Sequence, residues 1–395
     1  MKSIRRYDID WLRVLVFGLL IFYHVGMFFV PWGWHIKNAD IVKWFQYPMV
    51  FVNQWRLPIL FVISGMGTAY ALSFRSAGQF ISERLLRLLV PLTVGILLIV
   101  PPQIYAERVY EGSFQGGYID WLLTQGFRGG AYPEGNLSWH HLWFLPYLLV
   151  YSLLLTPAFT RLRAANLNKW QEKVQRQPYI LLWVIAPLYV FEAFLEPFFP
   201  VTHDLITDWF NFTKSLYLFF IGFLLIKMGE SFWLAVGRIK GRMLQVGLLT
   251  FTLLLLRWKL LEDGVIIHFV EAAISVTNLW AWILTILGFA AVTLNRSSKV
   301  LAYCNQAVYP FYILHQTITV LIGLYIYDAP WHYGLKFLIM VAGTFGISAL
   351  LYELVIRRIR WLWPLFGLKD IRLKSARTTV ATDSKSVSSK AAYIT

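Results

Sequence analysis

Cysteine and charge are what this 395-residue chain has least of. Cys304 is the single cysteine, so disulfides and a thiolate metal site are excluded, and no metal site or tightly bound cofactor is expected. Charged residues make up 14% of the chain against 58% hydrophobic ones, a balance no ordinary soluble domain has. No connector between apolar stretches is longer than about 106–140, which leaves no room for a separate soluble domain. MKSIRR is followed by an apolar run with no small-residue cleavage site and reads as a retained signal anchor. No nucleic-acid motif accompanies the net charge of +15. No internal repeat is evident, which weighs against a secondary transporter built from inverted repeats.

What is present is a series of apolar stretches of about 20 residues, the length that crosses a bilayer as a helix. Ten are placed near 12–31, 48–73, 87–105, 141–160, 179–199, 212–228, 242–261, 276–294, 307–327 and 335–356, with the third read as ending at the Pro-Pro pair that opens PPQIYAERVYEG. The expected fold is therefore all-α, a polytopic membrane bundle of ten transmembrane helices, with residues 1–373 as one membrane domain. Residues 374–395, rich in Ser, Thr, Ala and Lys, are expected to be a disordered cytoplasmic tail. With the N-terminus inside, 24 of the 36 lysines and arginines fall in inner segments and 5 in outer loops. That bias predicts both termini in the cytoplasm, and topogenic charge accounts for the basic balance. The inner stretch 161–176 reads as a basic amphipathic segment lying on the membrane surface.

Ionisable residues inside apolar runs cost free energy unless they have a partner or a task. Four stand out: His24, Arg56 in WRLPILFVISG, His315 in YPFYILHQT and Glu353 in LLYELVIR. Together they predict a polar chamber inside the bundle, joined by a continuous polar passage to an arginine-rich inner rim. On the first span Asp10 and Arg13 share a face, and His24 returns to it after eleven residues, about 16 Å further along at 1.5 Å per residue. Asp8 lies off this face and reads as a cap of the helix start. In SERLLRLLVP Ser82 reads as an N-cap, which puts Arg84 and Arg87 at the start of the third span. There guanidiniums and free N–H groups together suit an anion. The competing readings are topogenic charge and a Glu83–Arg87 pair.

These residues carry a resemblance. IDWLR followed by His24, WR with SG eight residues later (Arg56, Ser64, Gly65), ERxxRxxxP (Arg84, Arg87, Pro91), HLWFL with His141, YILH with His315 and the late Glu353 resemble, in that order, the acyltransferase-3 family of integral membrane acyltransferases. Within it the chain is most similar to the branch of glucans biosynthesis protein C, which succinylates periplasmic glucans. The resemblance implies transfer of a succinyl or acetyl group from cytoplasmic acyl-CoA to a hydroxyl of an extracytoplasmic, cell-envelope glycan, at a bacterial-type inner membrane. On this footing His24 and Arg56 are the expected catalytic residues, His24 as general base and Arg56 on the thioester carbonyl or a distal carboxylate. Asp10, Arg13, Arg84, Arg87, His315 and Glu353 are expected on the donor side, and His141, Trp34 and His35 on the acceptor side. Residues 160–300 hold no motif that matches.

Two other function classes fit the same residues: a transporter moving an anionic solute past Arg56 and His24, and a membrane protein whose buried charges only set helix register. Glu192 and Glu196, one turn apart, suggest a carboxylate pair but read better as hydrogen-bonding partners of neighbouring helices. Trp139 is available for sugar stacking or the interfacial aromatic belt. Arg257 and Lys259 have no evident role in the sequence.

Overall fold

The computed structural model describes residues 5–368; the expected tail at 374–395 lies outside them. Among the described residues the chain is helical throughout, apart from loops and one isolated bridge between Ala131 and Leu137. Nine helices among the described residues are long and apolar enough to cross a membrane: α1 (Tyr7–Met27), α2 (Lys43–Ser73), α3 (Ala77–Tyr110), α4 (His140–Ala164), then, beyond a bent pair designated α5 (Asn168–Arg176 and Pro178–Phe194), α6 (Trp209–Lys227), α7 (Glu230–Leu260), α8 (Val265–Thr293), α9 (Lys299–Ile326) and α10 (Tyr333–Ile356). The two limbs of α5 meet at 109°, so the spans number ten if that pair is one. Its first limb is the expected basic amphipathic segment. Its second begins as a 3₁₀ helix at Pro178 and becomes α-helical only over Ile185–Phe194, well short of the expected 179–199.

Helix α1 packs mainly on α9 and also touches α2, α8 and α10. It runs beside α9 in the same direction: Tyr7 N–H and the Trp11 indole donate to Asn295 and Arg296 just ahead of α9, Arg13 meets Asn305, and His24 meets His315. The most extensive pairings elsewhere are α7 with α8 and α2 with α6.

The third span departs most from expectation. It starts ten residues early, at a capping box in which Ser76 accepts from Gln79 N–H (3.3 Å) and Gln79 returns the bond to Ser76 N–H (3.1 Å). Ser82 is therefore interior, and Arg84 and Arg87 sit two and three turns into the helix, away from its free N–H groups. The span also continues through Pro101 and Pro102 instead of ending there. Two π-helical segments, Leu85–Leu89 and Gly95–Ile99, precede the second of which lies Pro91 and follow which lies the Pro-Pro pair, widening the helix where proline rings would clash. The carbonyls that lose helical partners find others: Arg87 O accepts from Tyr309 OH (2.7 Å) and Ile99 O from Thr317 Oγ1 (2.6 Å).

Asp8 does not cap α1. Arg6 holds the N-cap position, and Asp8 is fully buried in an ion pair with it (2.5 Å). Cys304, which lies ahead of the expected stretch 307–327, is in the second turn of α9. Arg257 pairs with Asp263 (2.5 Å) and Glu271 (2.7 Å), and Lys259 lies over the Tyr47 ring, which accounts for both.

Helices α2 and α6 cross at backbone contact. A Cβ on Gly65 would lie 1.9 Å from Phe219 O, and one on Gly222 2.0 Å from Val62 O. Only glycine fits either place, the small-residue packing that draws membrane helices together. Replacing Gly65 or Gly222 by valine is expected to force the helices apart and to cost about 2 kcal/mol or more. Thermal unfolding in detergent measures this, with Gly18→Val, where an added Cβ meets nothing within 4 Å, expected to leave stability unchanged.

Candidate functional site

At the end of the bundle opposite the N-terminus of α1, a cavity of about 500 Å³ is walled by α1, α2, α4, α5, α6 and α8. His24, Arg56, His141, Glu192, His203 and Lys214 are the titratable groups that carry its chemistry. His24 comes from the last turn of α1 and Arg56 from the point where α2 breaks at Trp55. Glu192 is paired with Lys214 (2.8 Å) and accepts from Ser275 (3.4 Å), so it bonds to neighbouring helices; Glu196 is exposed and makes no carboxylate pair with it. His203, in the loop ahead of α6, lies against Trp143 with ring centroids 3.9 Å apart. Burial there pushes its imidazole down to about 4, so it is neutral near pH 7 and adds no charge to the cavity.

The histidines have defined proton positions. His315 Nδ1 lies 2.8 Å from Tyr312 O and 3.2 Å from Phe311 O, both acceptors, so that nitrogen carries the proton. His315 Nε2 is then an acceptor, and its partner at 2.8 Å, His24 Nδ1, must donate. The lone pair of His24 is left on Nε2. His141 is settled the same way. Its Nε2 donates to Ile313 O (3.0 Å) and its Nδ1 faces the Gln103 amide nitrogen (3.4 Å), so both ring nitrogens are engaged within the protein.

Arg56 is 4% exposed and has no acidic partner among the described residues. Its guanidinium stacks over Tyr23 at 3.4 Å and one nitrogen donates to Asn53 (3.3 Å), while Nε and Nη1 are buried without a partner. An unpaired buried guanidinium is costly, and Arg56 is one of the residues that line the same cavity as His24. An oxygen carrying negative charge is what such an arrangement suits.

The cavity ends at Phe17, Leu20, Leu60, Phe144 and Tyr312. Phe17 and Tyr312 meet edge to face at 5.3 Å, and Tyr312 is held by a bond to His141 O (2.7 Å). Beyond this layer lie the arginines. Arg13 binds Asp10 (3.0 Å) and Asn305 (3.2 Å), Arg84 is within reach of Thr68 (3.4 Å), and Arg87 donates to Gly367 O (3.2 Å). Glu83 bridges Arg75 (2.9 Å) and Arg87 (3.6 Å), and Arg13, Arg75, Arg84 and Arg87 lie close enough to repel one another. The polar passage expected between arginines and imidazole is thus interrupted by one aromatic layer.

Several expected residues fall elsewhere. His315 is not among the arginines but is the partner of His24. Glu353 forms a two-point pair with Arg357 (2.9 Å for both oxygens) and joins neither group. Trp34 packs beside His35 at 5.6 Å, and His35 pairs with Glu107 (3.1 Å); neither lines the cavity. Trp139 donates its indole proton to His203 O (2.9 Å). Sequence reasoning missed Gln103, Glu107 and Gln316, which link His141 to His35 (Gln316 to Gln103 3.1 Å, Gln316 to His35 3.2 Å). The signal was the i,i+4 spacing of Gln103 and Glu107, hidden by ending the span at the Pro-Pro pair.

A family model described as an acyltransferase domain matches residues 6–353, nearly the whole chain. Glucans biosynthesis protein C of Escherichia coli O6:K15:H31 (strain 536 / UPEC) is 25% identical over 382 residues, covering 93% of this chain and 95% of that protein. The protein of the same name from Escherichia coli strain K12 matches to the same extent. No solved structure matches. The ordered motifs, the multi-pass bundle and the match along almost its full length agree: this chain belongs to the acyltransferase-3 family of integral membrane acyltransferases.

Proposed function

We propose that this membrane acyltransferase moves a succinyl or acetyl group from cytoplasmic acyl-CoA to a hydroxyl of an extracytoplasmic glycan, in an inner membrane with both termini cytoplasmic. The observation that carries the reading is His24: an imidazole with its lone pair assigned to Nε2, on the wall of a cavity that also holds an unpartnered guanidinium. The glucan relatives support a sugar hydroxyl as acceptor.

In this reading the acceptor oxygen attacks the thioester carbonyl carbon while His24 Nε2 takes its proton. Negative charge gathers on the carbonyl oxygen, where the Arg56 guanidinium stabilises it. The carbon–sulfur bond then breaks, and the CoA thiolate leaves with the proton from His24. His315 is a positioning residue: its Nε2 holds the Nδ1 proton of His24 and spreads the charge of the transient imidazolium. Arg13, Arg84 and Arg87 take the phosphates of CoA at the cytoplasmic rim. The pantetheine arm reaches the cavity by displacing Phe17, which has no hydrogen bond to keep it in place.

His24→Ala is expected to lower acyl transfer by about 10²- to 10⁴-fold while leaving donor binding intact. Thermal stabilisation of the purified protein by acetyl-CoA or succinyl-CoA measures the binding, and free CoA released in the presence of a glycan measures the transfer. Full transfer activity in that variant would remove His24 from the mechanism. No stabilisation by either donor or by free CoA, with no thiol released, would favour transport of an anionic solute instead.

Arg84→Ala and Arg87→Ala should each weaken donor binding by roughly 10-fold or more, the worth of a charge-assisted hydrogen bond, seen as lost stabilisation by CoA. His315→Ala should reduce turnover on the order of 10²-fold with stabilisation by CoA unchanged. His315→Gln, whose carbonyl oxygen accepts the same bond, should recover part of that loss. Equal activity of the two variants would show that His315 does not act through His24.

A further inference from the structure

His35, Glu107 and His140 converge at the same end of the bundle as the cavity but outside its wall, from the loop after α1, the last turn of α3 and the first residue of α4. One ligand atom from each lies within 4.8 Å of the others. The His35 and His140 rings are stacked, with centroids 4.7 Å apart, and His35 Nδ1 is 3.1 Å from Glu107 Oε2. The outward atom of each side chain is already occupied. Tyr132 OH donates to Glu107 Oε1 (2.8 Å), Gln316 bonds His35 Nε2 (3.2 Å), and Ser138 Oγ lies 2.7 Å from His140 Nδ1. Bonds of this kind orient metal ligands by their far side.

The inner atoms are not all satisfied. His140 Nε2 is shut off from solvent and has no hydrogen-bond partner, a state that costs free energy. His140 also has a φ of +42°, a backbone conformation that non-glycine residues rarely adopt and that clusters at functional sites. The nearby cation Arg108 is drawn off by Pro133 O (2.6 Å), Gly135 O (3.2 Å) and Glu111 (3.3 Å).

We propose that His35 Nδ1, Glu107 Oε2 and His140 Nε2 bind a divalent transition-metal ion of the zinc type, with a fourth position open. Two imidazoles and a carboxylate suit zinc in tetrahedral geometry, whereas magnesium and calcium require oxygen ligands. At metal–ligand distances of about 2.0–2.1 Å, tetrahedral ligand atoms lie roughly 3.4 Å apart, so the trio closes by about 1 Å on binding. The proton now on His35 Nδ1 moves to Nε2, where the Gln316 amide turns to accept it, and no net proton is lost. The ion clamps three segments that nothing covalent joins, and through His140 it steadies His141 on the cavity wall.

The test uses the full chain, purified in detergent with a histidine-free tag and stripped with chelator, then titrated with zinc chloride or magnesium chloride. Calorimetry is expected to show one zinc ion per chain and no magnesium, with an unfolding temperature raised by roughly 5 °C. Glu107→Gln and His140→Gln should each lower zinc affinity at least 100-fold, while His332→Gln, far from the trio in sequence and at the start of α10, should bind as the wild type does. Cobalt bound by the wild type should give the visible absorption of a tetrahedral site, lost in His140→Gln. The proposal is overturned if the wild type binds no zinc, binds magnesium equally well, or binds zinc no better than the Glu107→Gln and His140→Gln variants.

Discussion

The contact between His24 and His315 is the one on which the rest of the interior turns. It exists because α1 and α9 run side by side in register, so that Arg13 reaches Asn305 near one end and the two imidazoles meet near the other. It is directional because α9 places Tyr312 and Phe311 carbonyls against His315 Nδ1. Inside hydrocarbon a ring nitrogen has little choice of partner, and that scarcity gives His24 one protonated and one free nitrogen. Remove the register of the helix pair and the chemistry has no assigned proton.

Many polar groups elsewhere follow the same economy. Glu192 is matched by Lys214, His141 by Ile313 O and Gln103, and the carbonyls released by proline take bonds from Tyr309 and Thr317. Arg56 departs from this rule, with two buried nitrogens unmatched and only the Tyr23 face and Asn53 for company. Packing alone gives no reason to keep a guanidinium there. The proposed reaction, in which a carbonyl oxygen gathers negative charge, would give one.

Much of the architecture was legible because hydrophobic length is a strong signal. The spans and the single stripe carrying Asp10, Arg13 and His24 were readable from periodicity. The polar start of α3 was not, since AGQFISER lacks the hydropathy of a span and its capping box lies ten residues before the apolar run. The Pro-Pro pair was misleading because π-helical turns absorb prolines that would end an ordinary helix. His315 was visible as a buried ionisable residue, but its partner depended on the α1–α9 register, which no single span encodes. Glu353 looked similar in sequence, yet its i,i+4 neighbour Arg357 satisfies it at the surface.

The thin aromatic seal of Phe17, Phe144 and Tyr312 has a bearing on the cell as well as on the reaction. A water-filled conduit from rim to rim would dissipate whatever ion gradient the membrane sustains. If the donor enters from the arginine side as proposed, it would have to wedge those rings aside, and it would plug with its own body the route it makes.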